Sequence, residues 1–154
     1  MIKITSLHSA STEAMGWADQ VISLLDPGMK APKFNAPIEH LVLNFDDVDD
    51  DAQEGDVAPT IDHVRMALDF AKNDTRILIH CFAGICRSTA MALGVMLKRG
   101  MSIKDSYEHL VSIRPQAWPN FLVVRHIDNH LRLENELINF NKNWRIKVSA
   151  SLYL

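Results

Sequence analysis

Apolar and polar positions follow two spacings along this chain, one typical of strands and one typical of helices. Short apolar runs bounded by turn residues predict strands at residues 3–7 (KITSL), 19–28 (DQVISLLDPG), 40–45 (HLVLNF) and 75–81 (TRILIHC). The second run ends in a Pro-Gly turn, and the fourth is apolar enough to lie at the centre of a sheet.

Helical spacing is found between and after these runs. It predicts one helix within residues 59–74, a second over 87–98, a third that Ser102 caps, and a long last helix over about 120–138. The positions expected to face inward are Ile61, Val64, Leu68 and Ala71 in the first helix, and Ile103, Tyr107, Leu110 and Val111 in the third.

This alternation of strands and helices predicts an α/β layered domain. We expect a central, largely parallel sheet of about four or five strands, flanked by helices. The chain has 154 residues, of which 47% are hydrophobic, and this length and composition suit a single domain. Its core is expected over about residues 18–138, and residues 139–154 are interpreted as a C-terminal tail without an assigned role.

Composition limits the classes of partner. A formal net charge of -3 provides no basic surface for nucleic acid or for anionic lipid, so neither is expected as a partner. The chain starts without the apolar stretch of a signal peptide and has no apolar run long enough to span a membrane, so we predict a cytoplasmic protein. The two cysteines, five positions apart, are expected to be reduced thiols.

The segment ILIHCFAGICRSTA, at residues 77–90, carries the clearest chemical signal. It places Cys81 at the carboxyl end of a buried strand, and residues 82–87 then lead into a helix N-terminus, where backbone N–H groups favour an anion. Gly84 lets the loop curl, and Arg87 provides a planar fork that matches two oxygens of a phosphate group. Ser88 is placed to hydrogen-bond the cysteine sulfur. The pattern predicts a nucleophilic thiol facing a bound oxyanion.

The residues His80, Cys81, Gly84, Arg87 and Ser88 form H-C-x-x-G-x-x-R-S, which resembles the signature of the cysteine-dependent protein tyrosine phosphatases. NFDDV upstream and RPQAWPN downstream are similar to segments of the dual-specificity branch, and the resemblance covers roughly residues 18–135. It implies that His80 supports the loop from below. It also implies that Asn120 braces the loop, although capping the last helix is an alternative.

Several acidic residues follow the third strand and compete for the role of general acid. Asp46 and Asp47 are the first that can lean over the loop, and Asp47 aligns best with the acid of the family, with Asp46 as the alternative. Asp49, Asp50 and Asp51 are expected to lie too far out. A calcium loop is disfavoured, because Ala52 and Ala58 occupy positions that require Gly and Glu.

Other candidate residues have two interpretations each. His126 and His130 have a spacing that could bind zinc, but no third ligand is near, so a solvated helix face is favoured and no metal is expected. Trp118 either forms a wall of the cleft or packs under the loop, and packing is favoured. Cys86 is either a small packing residue or a redox partner that forms a disulfide with oxidised Cys81.

We therefore predict a metal-independent phosphomonoester hydrolase without a cofactor, acting through a cysteinyl-phosphate on a phosphorylated protein or a small phosphoester. The variable loop positions Phe82, Ala83, Ile85 and Cys86 are uncharged, which argues against a highly anionic lipid headgroup. Two alternatives stay open: a rhodanese-like sulfurtransferase and a non-catalytic phosphopeptide-binding module. The sequence gives no indication of the oligomeric state.

Overall fold

The structure of the protein is a computed structural model, and it describes residues 1–35, 37–50 and 52–151. Its four strands form one parallel sheet in the order β1-β4-β2-β3. The strands are β1 Ile2–Ser6, β2 Gln20–Leu25, β3 Glu39–Asn44 and β4 Ile77–Cys81. The predicted α/β fold with a parallel sheet is confirmed. All four strands end at the same edge, and this is where the candidate site lies.

Six helices surround the sheet in the described part of the chain. They are α1 Leu7–Ala14, α2 Ile61–Phe70, α3 Arg87–Lys98, α4 Ile103–Ile113, α5 Phe121–Leu131 and α6 Glu136–Ser151. The Ser102 side chain accepts a hydrogen bond from the Asp105 N–H at 3.1 Å, so it caps α4 as predicted. Helix α1 was not predicted from the sequence. None of the described helices is long and apolar enough to cross a membrane.

The core lies between the central strands and α3. Every residue of β2 and β4 is buried, and α3 is buried continuously from Arg87 to Met96. Helices α2, α4 and α5 pack around α3, so this helix runs through the interior rather than along the surface. The first turn of α3 is therefore held firmly, and this turn carries Arg87 and Ser88.

Two predicted inward positions are wrong. Ile61 is 43% exposed in the first turn of α2, where the helix extends past the surface on which Val64 and Leu68 are buried. Val111 is 37% exposed, because the buried face of α4 is centred on Tyr107 and Leu110, and position 111 lies at its edge.

The predicted last helix is in fact two helices. Helix α5 ends at Leu131, and the backbone is left-handed at Arg132, Glu134 and Asn135, with φ of 56°, 52° and 68°. The buried carboxylate of Asp128 then accepts hydrogen bonds from the N–H groups that begin α6: those of Asn135 (2.9 Å), Leu137 (2.9 Å) and Ile138 (3.2 Å). A capping carboxylate inside α5 compensates for the break, and the apolar spacing did not reveal it.

The segment interpreted as a tail is helical up to residue 151 and packs on the domain. The Tyr107 hydroxyl donates to Asn141 Oδ1 at 2.7 Å inside the protein. The Trp144 ring lies 5.4 Å from the ring of Tyr107 and 6.2 Å from that of Trp118. Helix α6 is thus fixed against α4 and against the loop that precedes α5.

Candidate active site

Cys81 ends β4 and is 1% exposed. Two groups contact its sulfur: the Gly84 N–H donates to Cys81 Sγ at 3.2 Å, and Ser88 Oγ lies 3.3 Å from it. Residues 82–86, here called the cradle loop, curl over the sulfur before α3 begins at Arg87. These contacts fix the position of the sulfur at the end of the strand, where it can act as a nucleophile.

The carbonyl oxygens of the cradle loop point outward, and each has a donor in the surrounding structure. Leu7 N–H donates to Phe82 O at 3.1 Å, Arg114 donates to Ala83 O and Gly84 O at 2.9 and 2.7 Å, Trp118 N–H donates to Ile85 O at 2.9 Å, and Asn120 N–H donates to Cys86 O at 3.2 Å. Because a peptide N–H points away from its carbonyl, the amides turn inward. The loop therefore forms an anion-binding concavity.

Gly84 is required by the shape of this loop. Its φ is +71°, which side chains rarely adopt, and a Cβ there would lie 2.5 Å from Thr5 O and 2.7 Å from Arg114 Nη2. Arg114 itself was missed by the sequence interpretation, although it begins the segment RPQAWPN. Two of its nitrogens fasten two neighbouring loop carbonyls, so it supports the loop without entering it.

Arg87 is 3% exposed, and its guanidinium is held at one corner. Arg87 Nη1 donates to Phe45 O at 2.7 Å and pairs with Asp26 Oδ1 at 2.6 Å. Arg87 Nε is buried and makes no hydrogen bond to any of the described residues, so this donor is available to a bound oxyanion. Asp26 was also missed, although it follows β2 at the site edge of the sheet.

The acidic segment after β3 separates into residues with different partners. Asp47 Oδ2 lies 3.9 Å from Arg87 Nε, and Asp47 Oδ1 accepts from Asn120 Nδ2 at 2.9 Å. Asp46 instead closes the base of its own loop, exchanging two hydrogen bonds with the backbone of Val57 at 2.7 and 2.8 Å. Of these two candidates, only Asp47 contacts the groups of the site.

The next two acids, Asp49 and Asp50, pair with arginines other than Arg87. Asp49 pairs with Arg145 of α6, and Asp50 pairs with Arg125 of α5. Asp51 lies outside the described residues. Asn120 has three contacts here: its Oδ1 accepts from the Val123 N–H at 3.0 Å and so caps α5, its N–H donates to Cys86 O of the cradle loop, and its Nδ2 donates to Asp47.

His80 lies below the loop and is completely buried. Its Nδ1 lies 3.4 Å from Cys81 O, and Ser23 Oγ lies 2.6 Å from His80 Nε2 and 2.7 Å from His40 Nε2. One proton arrangement satisfies every contact: His40 donates to Ser23, Ser23 donates to His80, and His80 donates to the Cys81 carbonyl. Burial lowers the pKa of His80 to about 4, so the ring is neutral near pH 7.

Cys86 is half-buried and lines a small cavity together with Asp47. Burial, the Asp47 carboxylate and the sulfur of Cys81 raise the pKa of Cys86 to about 12, so this thiol is protonated at neutral pH. Both cysteines are free thiols. The two sulfurs of the motif thus occupy different surroundings, and Cys86 is directed to the acid rather than to the oxyanion position.

The other candidates lie apart from the cradle. His126 is not on a solvated face as predicted, because its Nε2 lies 3.1 Å from Pro59 O and the ring is half-buried. Within residues 1–35, 37–50 and 52–151, no group of three or more His, Cys, Asp or Glu side chains could hold a metal ion. The Trp118 ring contacts Trp144 and the guanidinium of Arg145, and it also lines the small cavity beside Asp47 and Cys86.

Three features define the class of this domain: a parallel sheet, a loop with outward carbonyls between a strand and a helix, and a cysteine and a buried arginine at the two ends of that loop. They are typical of α/β domains in which such a loop binds phosphate next to a cysteine. The chain matches the family described as dual specificity phosphatase, catalytic domain, over residues 19–132. It therefore belongs to the dual-specificity phosphatase catalytic-domain family.

Individual relatives agree with this assignment. The chain is 24% identical over 90 residues to MAP kinase phosphatase with leucine-rich repeats protein 2 of Dictyostelium discoideum, a match that covers 58% of this chain and 12% of that protein. It is 37% identical over 65 residues to human Dual specificity protein phosphatase 8, covering 41% of this chain and 10% of that protein. The chain thus spans only about a tenth of the length of these curated relatives.

Solved structures share the fold. DUSP15 matches with a TM-score of 0.66 at 20% identity, covering 92% of this chain and 90% of that one. The human tyrosine phosphatase-like serine/threonine/tyrosine-interacting protein matches with a TM-score of 0.65 at 19% identity, covering 86% of this chain and 92% of that one. These similarities extend to both sides of the residues matched by the family.

Proposed function

We propose that this protein is a metal-independent protein phosphatase of the tyrosine or dual-specificity type. The observation that carries the proposal is the cradle loop, whose carbonyls are all bound by outside donors while the Gly84 N–H donates to the Cys81 sulfur and the buried Arg87 begins the helix that follows. This arrangement suits a tetrahedral oxyanion and a thiolate in line with it. Family membership agrees with this reaction and gives no support to the sulfurtransferase alternative.

In the proposed reaction, Cys81 Sγ attacks phosphorus and the bond from phosphorus to the ester oxygen breaks. Asp47 gives its proton to the departing oxygen, and a cysteinyl-phosphate forms. The Asp47 carboxylate then takes a proton from water, the resulting nucleophile attacks phosphorus, and the sulfur leaves as a thiolate that the Ser88 hydroxyl stabilises. Arg87 and the loop amides hold the non-bridging oxygens through both steps.

The proposed substrate is a phosphorylated side chain of a protein. The loop residue next to the nucleophile, Phe82, is 60% exposed and apolar, and the other variable positions carry no charge. A rim of this kind favours contact with a peptide over contact with a polyanionic lipid headgroup. Two free thiols support action in a reducing compartment, and we propose the cytoplasm.

Hydrolysis of an aryl phosphate in the presence of EDTA tests the reaction class. Wild-type protein should turn over, Cys81→Ser should be inactive while still binding inorganic phosphate, and Arg87→Lys should lose both properties, because one ammonium group cannot replace a bidentate fork. Full turnover by Cys81→Ser would contradict the covalent mechanism. Inactivity of the wild type, with phosphopeptide binding that depends on Arg87, would indicate a non-catalytic binding module instead.

A further inference from the structure

Helix α6 contributes one side chain to the loop that carries the proposed general acid. This acid loop, residues 45–57, leaves β3 beside the cradle and returns where the Asp46 N–H donates to Val57 O and the Val57 N–H donates to Asp46 Oδ2. Asn120 reaches two points of the loop, Asp47 Oδ1 and Val48 O, the latter at 2.8 Å. These contacts hold the loop as far as Val48.

Asp49 fixes the next position of the loop, directly after Val48. Its carboxylate forms a two-point pair with Arg145, with Nη1 to Oδ2 at 2.6 Å and Nη2 to Oδ1 at 3.2 Å. Asp49 Oδ1 also accepts a hydrogen bond from the Phe121 N–H. Two-point arginine–carboxylate pairs restrict both distance and angle, so this contact determines where the loop lies two residues after Asp47.

Arg145 is itself held rigidly. Its side chain is only 18% exposed, its guanidinium lies 4.9 Å from the centre of the Trp118 ring, and its Nη2 donates to Pro119 O at 2.7 Å. It thereby joins α6, the acid loop and the segment before α5. A cavity of about 220 Å³ lies among these groups and is lined by Asp47, Asp49, Cys86, Trp118, Asn120 and Arg145.

The charges of the Asp49–Arg145 pair also favour the proposed site, because Arg145 neutralises an acid close to it. Asp49 lies two residues from Asp47, and without a partner its negative charge would repel a phosphate dianion approaching Arg87. Arg145 compensates for this charge at close range. The neighbouring pair between Asp50 and Arg125 is more exposed, at 60% and 44%, and involves one nitrogen, so it should contribute much less.

We propose that Arg145 is a positioning residue for the general acid, and that α6 is therefore a working part of the catalytic unit. The proposal rests on the proposed role of Asp47. Arg145 follows the residues matched by the family, 19–132, and lies in the segment that the sequence suggested was a tail. Arg145 acts through Asp49, and none of its described hydrogen bonds reaches Cys81 or Arg87.

Leaving-group dependence tests this role. Turnover is measured on phenyl phosphate, whose leaving group needs a proton, and on an activated nitrophenyl phosphate, which needs little help. We expect Arg145→Ala to lose about tenfold to hundredfold in kcat/KM on phenyl phosphate and much less on the activated ester, because a small displacement of an acid is costly in rate. Arg125→Ala is the matched control and should behave like the wild type on both substrates.

A double variant separates positioning from a general loss of structure. In the Asp47→Asn background, Arg145→Ala should cause no further selective loss on phenyl phosphate, since the group that it positions is gone. An equal loss on both substrates, or an additional selective loss in that background, would overturn the proposal. If Arg145→Ala fails to fold, Asp49→Asn breaks the same ion pair, and a uniform loss in that variant would count equally against the proposal.

The same series distinguishes this inference from the proposed function. If Asp47→Asn shows no leaving-group dependence, the assignment of the acid is wrong, and the role of Arg145 is overturned with it. If Asp47→Asn shows the dependence and Arg145→Ala does not, only the role of Arg145 is overturned.

Discussion

The buried histidine below the cradle makes the stability of the protein depend on pH in a definite window. His80 is neutral in the folded protein, and its hydrogen bonds with Ser23 and the Cys81 carbonyl require one nitrogen to accept and the other to donate. Protonation would give both nitrogens a hydrogen and reverse the bond from Ser23. Lowering the pH therefore opposes the folded state at this residue.

The magnitude follows from the change in pKa. Burial lowers the pKa of His80 from its ordinary value of 6.5 to about 4. Above pH 6.5 the ring is neutral in both states, and the full stability is present. As the pH falls through the window, the unfolded chain binds a proton that the folded protein does not, and the free energy of unfolding decreases. At about 1.4 kcal/mol for each pKa unit, the whole window corresponds to about 3 kcal/mol.

Urea unfolding at pH 7 and pH 4.5 measures this effect. The wild type should lose about 2 kcal/mol more stability between these two values than His80→Gln, whose side chain does not titrate. His63 and His126 keep their contribution in both proteins, and the difference reports on His80 together with His40, which shares the Ser23 hydroxyl with it. The exposed His8 provides the control, and His8→Gln should follow the wild type. Equal losses in the wild type and in His80→Gln would refute the reasoning.

Two further predictions concern residues around the cradle. Asp26→Ala should weaken inhibition by vanadate and raise KM at least severalfold, because Arg87 loses the partner that orients its guanidinium. Asp19→Ala is the control, because Asp19 is 43% exposed like Asp26 and also pairs with an arginine. Asp19 lies at the opposite end of β2, so inhibition by vanadate should be unchanged in Asp19→Ala. Recovery of activity on adding a thiol, after inactivation by peroxide, tests Cys86 as the redox partner. We expect this recovery to be slow in the wild type, because the Cys86 thiol must first move away from Asp47. Recovery should be poorer still in Cys86→Ser. Equal recovery in both would remove the redox role.

The sheet and the cradle could be predicted because their signals are local. A run of apolar residues ending in Cys81 identifies a buried strand, and Gly84 is the residue type that a positive φ requires. The outward direction of the loop carbonyls could not be predicted, since it depends on donors from α1, from Arg114 and from the segment before α5. Those donors are distant in sequence, and nothing in their own spacing marks them.

The prediction of one long last helix was wrong for a related reason. Apolar positions continue past Leu131, so the spacing predicted one helix, and the sequence contains no Gly or Pro at the break. The backbone turns left-handed at Arg132, and the buried Asp128 carboxylate binds the N–H groups that start α6. The side chain that compensates for the break lies inside the preceding helix, where Asp is usually interpreted as a solvated residue.

The donors that bind the outward carbonyls of the cradle are made at different times during synthesis of the chain. Leu7 is made long before the loop that it supports, whereas Arg114, Trp118 and Asn120 are made after it. A growing chain that has just exposed Cys81 therefore holds this thiol without the later donors that shape the loop. The geometry proposed for the reaction forms only when the chain has been made as far as Asn120, so a shorter nascent chain should not catalyse it.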